Sequence, residues 1–227
     1  MKQLLILVTA CLPMLATAQD VNELVKKIKS KYEKVNDYEA SGKMKTNVSF
    51  MKVPEAKVKI FYKRPDKLKI KNENGISFVP KGSVSINLGN VFGVQSYSAI
   101  DAGTATVQGK TVKVVKILPE DEQSGIVLST LYIDEKQELV LKTKTTTRDN
   151  GTYELLLQYG KYAAWGLPDK AEFTFSTKDY KLPKGVTIDY DNGSVNNNNA
   201  PKTKTGKVEI TYNSYTINKG VSDAEFK

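Results

Sequence analysis

Histidine is absent from this sequence of 227 residues, and cysteine occurs once, at Cys11. These two residue types supply the usual ligands for zinc and copper, so the sequence predicts no metal centre of that kind. Histidine is also the commonest general base near neutral pH, and its absence excludes Ser-His-Asp and Cys-His catalysis. We therefore expect no metal, no cofactor and no catalytic residue, and we expect that the protein is not an enzyme.

The sequence leaves two enzymatic alternatives open: Ser/Lys catalysis, which no recognisable motif supports, and a pair of carboxylates, as in a glycosidase. The acidic clusters that could supply such a pair are 120–122 and 134–135. Both fall in predicted turns, where acidic residues are common because they are well solvated. Turn formation therefore accounts for both clusters without invoking catalysis.

Long apolar runs are missing too, apart from one near the start of the chain. In residues 1–18, MKQLLILVTACLPMLATA, Lys2 precedes a mostly apolar stretch, and Ala-Thr-Ala at 16–18 has the form of a cleavage site. We interpret this segment as a secretory signal peptide, too short to span a membrane. The alternative is a lipobox at 8–11, which would leave an outer-membrane form lipidated at Cys11.

Cleavage would leave one domain, residues 19–227, without a cysteine for a disulfide. It would lower the net charge from +9 to +8, because Lys2 is lost. Arginine occurs only at Arg64 and Arg148, and every other cation is lysine. Because an exported, arginine-poor chain is poorly suited to reading phosphates and bases, we expect no nucleic-acid partner. We expect a periplasmic monomer.

The first segment after the signal peptide predicts an amphipathic helix over Asp20–Asn36. Asp20 can cap the first turn, and Glu23 stands three residues later, as a capping box requires. Apolar residues follow at helical spacing, with lysines on the opposite face. This stripe consists of Val21, Leu24, Val25, Ile28, Tyr32 and Val35.

Most of the remaining chain alternates apolar and polar residues, the pattern of antiparallel strands. Strands are predicted near 38–50, 57–63, 67–71, 76–79, 83–88, 111–118, 126–134, 138–148, 152–159, 171–177 and 207–218. Gly89–Gly103 fits a helix, a loop or both. Asp191–Gly206, DNGSVNNNNAPKTKTG, has almost no apolar residue and is predicted to be a flexible surface loop.

The predicted fold is mostly β: one strongly curved antiparallel sheet with the N-terminal helix as a lid. Several strands carry apolar residues on both faces, such as Val112, Val114, Val115 and Ile117 in one and Leu155–Leu157 in another. A sheet of this kind needs a cover on each face, or else it holds a ligand. The helix can cover one of the two faces.

The stretch IFYKRPDKLKI at 60–70 resembles the hairpin of the bacterial outer-membrane lipoprotein carriers, the LolA/LolB-like family. The segments LYIDEKQELVLKTKTTTRDNGTYEL, PDKAEFTF and PKGVTIDYDN are similar to later strands of that family. The tail GKVEITYNSYTINKGVSDAEFK and the asparagine-rich loop differ from the usual carrier, so the resemblance is to a divergent lipoprotein-sorting or lipid-binding member.

The resemblance implies an incomplete, half-open β-barrel closed by helices, with an apolar cavity for lipid or lipoprotein acyl chains. It implies handover to an outer-membrane acceptor, with inner- and outer-membrane transport components as further partners. By position, Arg64 would act in lipid release or transfer; the alternative is that it pairs with a carboxylate at a strand end. An envelope sensor or adaptor that binds a protein or lipid ligand to regulate signalling is the alternative function.

Residues expected to line the cavity are apolar or aromatic residues of the predicted strands, a type that is more often ordinary core than ligand wall. They are Phe50, Val58, Ile60, Tyr62, Leu68, Ile70, Phe78, Leu155, Leu157, Phe173 and Phe175.

Overall fold

The computed structural model describes residues 20–48, 51–52, 55–65, 67–72, 88–93, 96–176 and 205–226. The predicted signal peptide, Phe50, Phe78 and residues 191–204 of the predicted loop lie outside the described residues. The last two residues of that predicted loop, Thr205 and Gly206, are strand residues instead. They pair with the neighbouring strand, which corrects the end of the loop prediction.

The main helix, α1 (Val21–Glu33), begins where the sequence predicts. The Asp20 side chain caps it by accepting a hydrogen bond from Asn22 N at 2.9 Å. Glu23 does not close the predicted capping box but pairs with Lys26 at 2.7 Å, one turn further along. The predicted apolar stripe is buried, with Val21 partly exposed at its start. Its fully buried members are Leu24, Val25, Ile28, Tyr32 and Val35.

In the described parts of the chain, eleven strands form one antiparallel sheet. They are β1 (Asp37–Val48), β2 (Met51–Lys52), β3 (Ala56–Lys63), β4 (Lys67–Asn72), β5 (Tyr97–Val107), β6 (Lys110–Pro119), β7 (Ile126–Asp134), β8 (Leu139–Thr147), β9 (Gly151–Gln158), β10 (Lys170–Ser176) and β11 (Thr205–Ile217). Ten of them follow the order β4-β3-β1-β11-β10-β9-β8-β7-β6-β5, and β2 pairs with β1. A short helix, α2 (Gly89–Phe92), precedes β5.

The sheet is open: in the part of the chain that the structure describes, β4 and β5 do not pair with each other. Register shifts occur in the β1–β11 pair, in the β5–β6 pair and twice in the β7–β8 pair. Such bulges bend strands and increase their twist. At the first shift, a Cβ on Gly42 would lie 2.5 Å from the Thr211 carbonyl oxygen, so only glycine allows β1 and β11 this close. The prediction of a curved, incomplete barrel is confirmed.

The core lies between the sheet and the two helices. We call the sheet face that α1 covers the inner face and the opposite one the outer face. In β1 and β3, alternate residues from Tyr38 to Met44 and from Ala56 to Tyr62 are buried, as period-two patterning requires. The helix and the alternating inner-face side chains together form one large apolar cluster.

A second, smaller apolar cluster shows how the strands with two apolar faces are covered. It contains Val107, Val112, Leu139 and Leu141, and partly buried side chains such as Tyr132 and Leu156 pack against it. The predicted two-sided apolar character is therefore real. Side chains of the protein itself cover part of the second apolar face of these strands, so that part does not need a ligand.

The segment that the sequence left ambiguous, Gly89–Gly103, contains both α2 and the first half of β5. Strand β5 shows no clean alternation, because the five residues from Ile100 to Thr104 are all exposed. Period-two patterning requires one buried face, so it could not reveal a strand with both faces in solvent.

Candidate functional site

The candidate site is the apolar interior between α1 and the inner face of the sheet. The buried side chains of α1 face alternate residues of the central strands in the large cluster. Near the C-terminal end of the helix, the Tyr32 ring lies 6.1 Å from the Tyr62 ring and 5.7 Å from the Phe92 ring, centroid to centroid. Strands β1, β3 and α2 therefore meet the helix around one aromatic group.

The predicted cavity residues are brought together on this inner face. Phe50 and Phe78 are outside the described residues, and Leu68 is partly buried at the edge of the cluster. The others are buried in the same cluster as α1. They are Val58, Ile60, Tyr62, Ile70, Leu155, Leu157, Phe173 and Phe175.

Among the described residues, side chains of α1 and of the inner face pack against one another in one apolar cluster. Beneath α1 they leave a space of about 10 Å³, which we call the lid hollow. Its apolar and aromatic lining comes from Ile28, Tyr32, Leu88, Phe92, Val140 and Tyr159. This volume is close to that of one probe sphere of water, so a hydrocarbon chain enters the lid hollow only if the residues that line it move apart.

One polar group under the helix is unpaired. The buried Tyr32 hydroxyl has no hydrogen-bond partner among the described residues. Burial, followed by the neighbouring Tyr62, raises the pKa of Tyr32 well above its usual value, so the hydroxyl keeps its proton as a donor. By contrast, the Tyr159 hydroxyl at the other side of the lid hollow donates to Val140 O at 2.9 Å.

Arg64 of the β3–β4 hairpin binds the C-terminal end of α1. Its Nη1 donates to the Glu33 carbonyl oxygen at 2.9 Å, and its Nη2 lies 3.6 Å from the Glu33 carboxylate. The Arg64 backbone N donates to Asn36 O at 2.8 Å. A cation at a helix C-terminus satisfies a free carbonyl and offsets the helix dipole. Arg64 thus does pair with a carboxylate, but one at the end of the lid helix, not at a strand end.

Asn218, just after β11, holds the same junction and was not predicted. Its Oδ1 accepts from Asn36 N at 2.7 Å, and its Nδ2 donates to Lys34 O at 2.8 Å. Its φ of 55° is left-handed, a conformation that asparagine tolerates better than most residues. The only sequence signal was an asparagine beside Lys219-Gly220, which is typical of any turn.

The polar contacts of α1 are unevenly distributed. Lys31 Nζ donates to Gln137 O at 2.6 Å, so three contacts with other elements, from Lys31, Arg64 and Asn218, lie in or just after the last turn. In the first turns, the side-chain hydrogen bonds of the described residues stay within the helix and its cap. The helix is therefore tethered at its C-terminal end and held by apolar packing at its N-terminal end.

The acidic clusters considered for catalysis take part in local structure. The Asp134 carboxylate lies 3.0 Å from Lys110 Nζ and accepts from Gln137 N in the β7–β8 turn. Glu120 accepts from the hydroxyls of Ser96 and Ser98. No group of three or more potential metal ligands occurs among the described residues, and no described helix is long and apolar enough to cross a membrane.

No family model matches the sequence, and no curated protein matches it. Solved structures are similar in fold. A domain from Vibrio parahaemolyticus assigned as an outer membrane lipoprotein-sorting protein has a TM-score of 0.55 and 12% identity, covering 90% of this chain and 95% of its own. A DUF1329 family protein from Desulfovibrio piger has a TM-score of 0.54 at 13% identity over 90% of this chain and 95% of its own.

A LolA superfamily protein from Nitrosomonas europaea has a TM-score of 0.54 and 8% identity, and the match covers 89% of this chain and 96% of that one. The predicted resemblance to the LolA-like fold is therefore confirmed. At these identities the likeness concerns the fold alone.

Proposed function

We propose that this protein is a periplasmic carrier that binds the acyl chains of a lipid or lipoprotein between α1 and the inner face. It would receive them from an inner-membrane component and pass them to an acceptor at the outer membrane. The observation that supports this most is the arrangement of α1. One amphipathic helix covers a continuous apolar face and is tethered by polar contacts at only one end, among the described residues.

In this proposal α1 swings about its C-terminal end. The contacts of Arg64 and Asn218 lie at the C-terminal end of α1, which acts as the hinge, and they are kept. Leu24 and Val25, near the N-terminal end, move away from the sheet and lose their apolar contacts. The predicted wall residues then face the acyl chain in place of the helix, with Leu68 at the edge. Handover to the acceptor would reverse the movement and close the helix on the sheet again.

The free energy of burying an acyl chain is of a size that suits a carrier. Burying a methylene stabilises by about 0.8 kcal/mol, so about ten of them supply roughly 8 kcal/mol before entropy costs. Part of that gain is offset because α1 gives up its own apolar contacts with the inner face. The balance favours binding that is firm in water but reversible, as a carrier requires.

Native mass spectrometry of protein released gently from the periplasm tests the proposal. We expect a mass increment that corresponds to a lipid or a lipidated protein, and uptake of a fluorescent acyl probe after the lipid is removed. Leu68→Ser should weaken probe binding, since Leu68 is a predicted wall residue that is only partly buried at the edge of the inner face. Val127→Ser is the matched control, because the Val127 side chain is 49% exposed on β7.

Absence of any bound lipid, together with no probe uptake by the folded wild-type protein, would contradict the carrier. Crosslinking in the periplasm then distinguishes the adaptor alternative. A carrier captures many lipoproteins, whereas an adaptor captures one or two constant partners.

A further inference from the structure

The two edges of the sheet differ in how they are protected. Exposed edge strands invite pairing with other chains, and proteins usually blunt them with lysines, prolines or a covering segment. Edge strand β4 carries lysines at 67, 69 and 71, and the C-terminal turn covers it: Lys67 pairs with Asp223 and Lys71 with Glu225. Edge strand β5, YSAIDAGTATV, has no lysine, arginine or proline.

Within the described ranges, the outer edge of strand β5 has backbone groups that no neighbouring strand binds. The strand pairs with β6, and no other strand of the described residues pairs with it. Glu120 N donates to Ser96 O at 3.0 Å, and the antiparallel register continues from that pair through Asp101. Backbone groups alternate in direction along an antiparallel strand, so those of Tyr97, Ala99 and Asp101 point away from β6.

This free edge lies beside the lid. The side chains of Tyr97 and Ala99 pack against the large apolar cluster, while their backbone groups point outward. Lys29 Nζ of α1 lies 6.0 Å above the centre of the Tyr97 ring. A chain paired with β5 would therefore begin next to the interior that α1 covers.

Two features favour a short peptide over a second copy of this protein. The bulge between Asp101 and Thr104, with Gly103 at a φ of 81°, limits the regular free edge to about five residues, Tyr97–Asp101. The net charge of +9 makes two copies repel each other, whereas a neutral extended peptide meets no such barrier.

We propose that the outer edge of β5, at Tyr97–Asp101, binds the extended peptide that directly follows the lipid-modified residue of a lipoprotein. The acyl chains occupy the interior beneath α1, and the peptide adds a strand to the sheet through main-chain hydrogen bonds. This proposal rests on the proposed carrier function. It explains how a carrier could recognise lipidated proteins of different sequence, because main-chain pairing does not depend on side chains.

The test compares three probes on the full chain by titration calorimetry. The first is diacylglyceryl-cysteine followed by a short Ser/Thr/Val peptide of about six residues. The second has the same lipid and peptide with alternate amides N-methylated, and the third is diacylglyceryl-cysteine alone. We expect the first to bind on the order of tenfold more tightly than the other two, because two or three main-chain hydrogen bonds are gained. Amide exchange in 97–101 should slow only with the first.

Two variants at one position complete the test. Ala99→Pro removes the outward N–H without removing a ladder bond to β6, and it should abolish the tenfold difference. Ala99→Gly keeps the N–H and should preserve the difference. If Ala99→Pro fails to fold, the N-methylated probe still tests, on the wild-type protein, whether main-chain hydrogen bonds produce the gain in affinity.

The outcomes separate the two proposals. Equal affinity of wild-type protein for all three probes overturns the β5 site and leaves the carrier intact. Binding of none of the probes overturns both. A peptide-dependent gain that survives N-methylation also overturns the β5 site, because recognition would then use side chains.

Discussion

The Tyr32 hydroxyl lies beneath α1, lines the lid hollow and has no hydrogen-bond partner among the described residues. An unpaired buried hydroxyl costs stability, so its presence in the core needs a reason. The carrier function supplies one. An acyl chain attached through an ester or amide brings a carbonyl oxygen into the interior, and Tyr32 is a donor that could bind it.

Tyr32→Phe should therefore separate stability from ligand binding. We expect the free energy of unfolding to stay the same or rise by up to about 1 kcal/mol, because no hydrogen bond is lost. Affinity for an ester lipid should fall several-fold, while affinity for a plain hydrocarbon probe is unchanged. Chemical unfolding and probe titration measure the two effects.

Tyr159→Phe is the matched control for this prediction. The Tyr159 hydroxyl donates to Val140 O, so its removal should cost about 1 kcal/mol of stability. If Tyr32→Phe destabilises as much as Tyr159→Phe, the Tyr32 hydroxyl is paired in solution, and its role as a free donor is refuted.

Asp134 shows how a carboxylate at a strand end can stabilise this fold. Its side chain is 11% exposed, and burial alone would raise its pKa. The hydrogen bonds from Lys110 Nζ and Gln137 N outweigh burial and hold the pKa of Asp134 below its usual value. The unfolded chain therefore binds the proton more readily, and this contribution to stability is present above about pH 4 and lost at lower pH.

Asp134→Asn should lower the free energy of unfolding by about 1 kcal/mol at pH 7. The difference from wild type should shrink as the pH falls below about 4, because the unfolded wild-type chain then takes up a proton that the folded carboxylate resists. Urea unfolding between pH 3 and 7 measures it, and Lys110→Met completes a double-mutant cycle. A difference that stays constant over this range would show that the charge of Asp134 does not contribute.

At the level of secondary-structure elements, Arg64 connects the β3–β4 hairpin with α1. Its guanidinium binds both the carbonyl and the carboxylate of Glu33, yet both side chains are 39% exposed. Exposed ion pairs contribute little to stability because water screens them. The contact is better suited to set how easily the lid helix moves than to hold the fold together.

Arg64→Lys keeps the charge but loses the planar fork that reaches both oxygens of Glu33. We expect the free energy of unfolding to fall by less than about 1 kcal/mol. Release of a bound acyl probe should become several-fold faster, as stopped-flow fluorescence would show. Arg148→Lys makes the same change at the chain's other arginine and should leave the release rate unchanged. Equal release rates in both variants would exclude Arg64 as a determinant of lid motion.

Whether a helix or strand could be predicted from the sequence depended on how it is buried. Helix α1 and strand β1 have one buried face, so their periodicity appeared directly in the sequence. Strand β5 is exposed on both faces in its middle and left no such pattern. The Glu33 partner of Arg64 and the contacts of Asn218 depend on chain segments brought together only by the fold, so spacing could not indicate them.

The space between α1 and the sheet shows a different limit of prediction from sequence. The predicted wall residues do share one face, because alternation fixes which side of a strand each residue occupies. Whether that face encloses a cavity or a packed core depends on how α1 seats against it. Periodicity is identical in both cases, so the lid hollow of about 10 Å³ could only be seen in the folded structure.

For the whole molecule, the proposed carrier function requires that ligand binding exchanges one set of apolar contacts for another where α1 packs on the inner face. The free protein buries the inner face under α1, and the loaded protein would bury it under hydrocarbon. The ligand then stabilises the folded state by mass action, since the unfolded chain has no such face. This linkage can be measured without knowing the natural ligand.

A lysophospholipid kept below its micelle concentration serves as the probe. At about a hundred times its dissociation constant it should raise the free energy of unfolding by about 2.7 kcal/mol, measured by urea unfolding. Amides of Leu24–Ile28 should exchange faster in the loaded protein, because α1 leaves the sheet, while those of the central strands slow. Glycerophosphocholine, the head group without the chain, should have neither effect. Stabilisation accompanied by slower exchange in α1 would mean that the ligand binds with the helix closed, and the lid movement would be wrong.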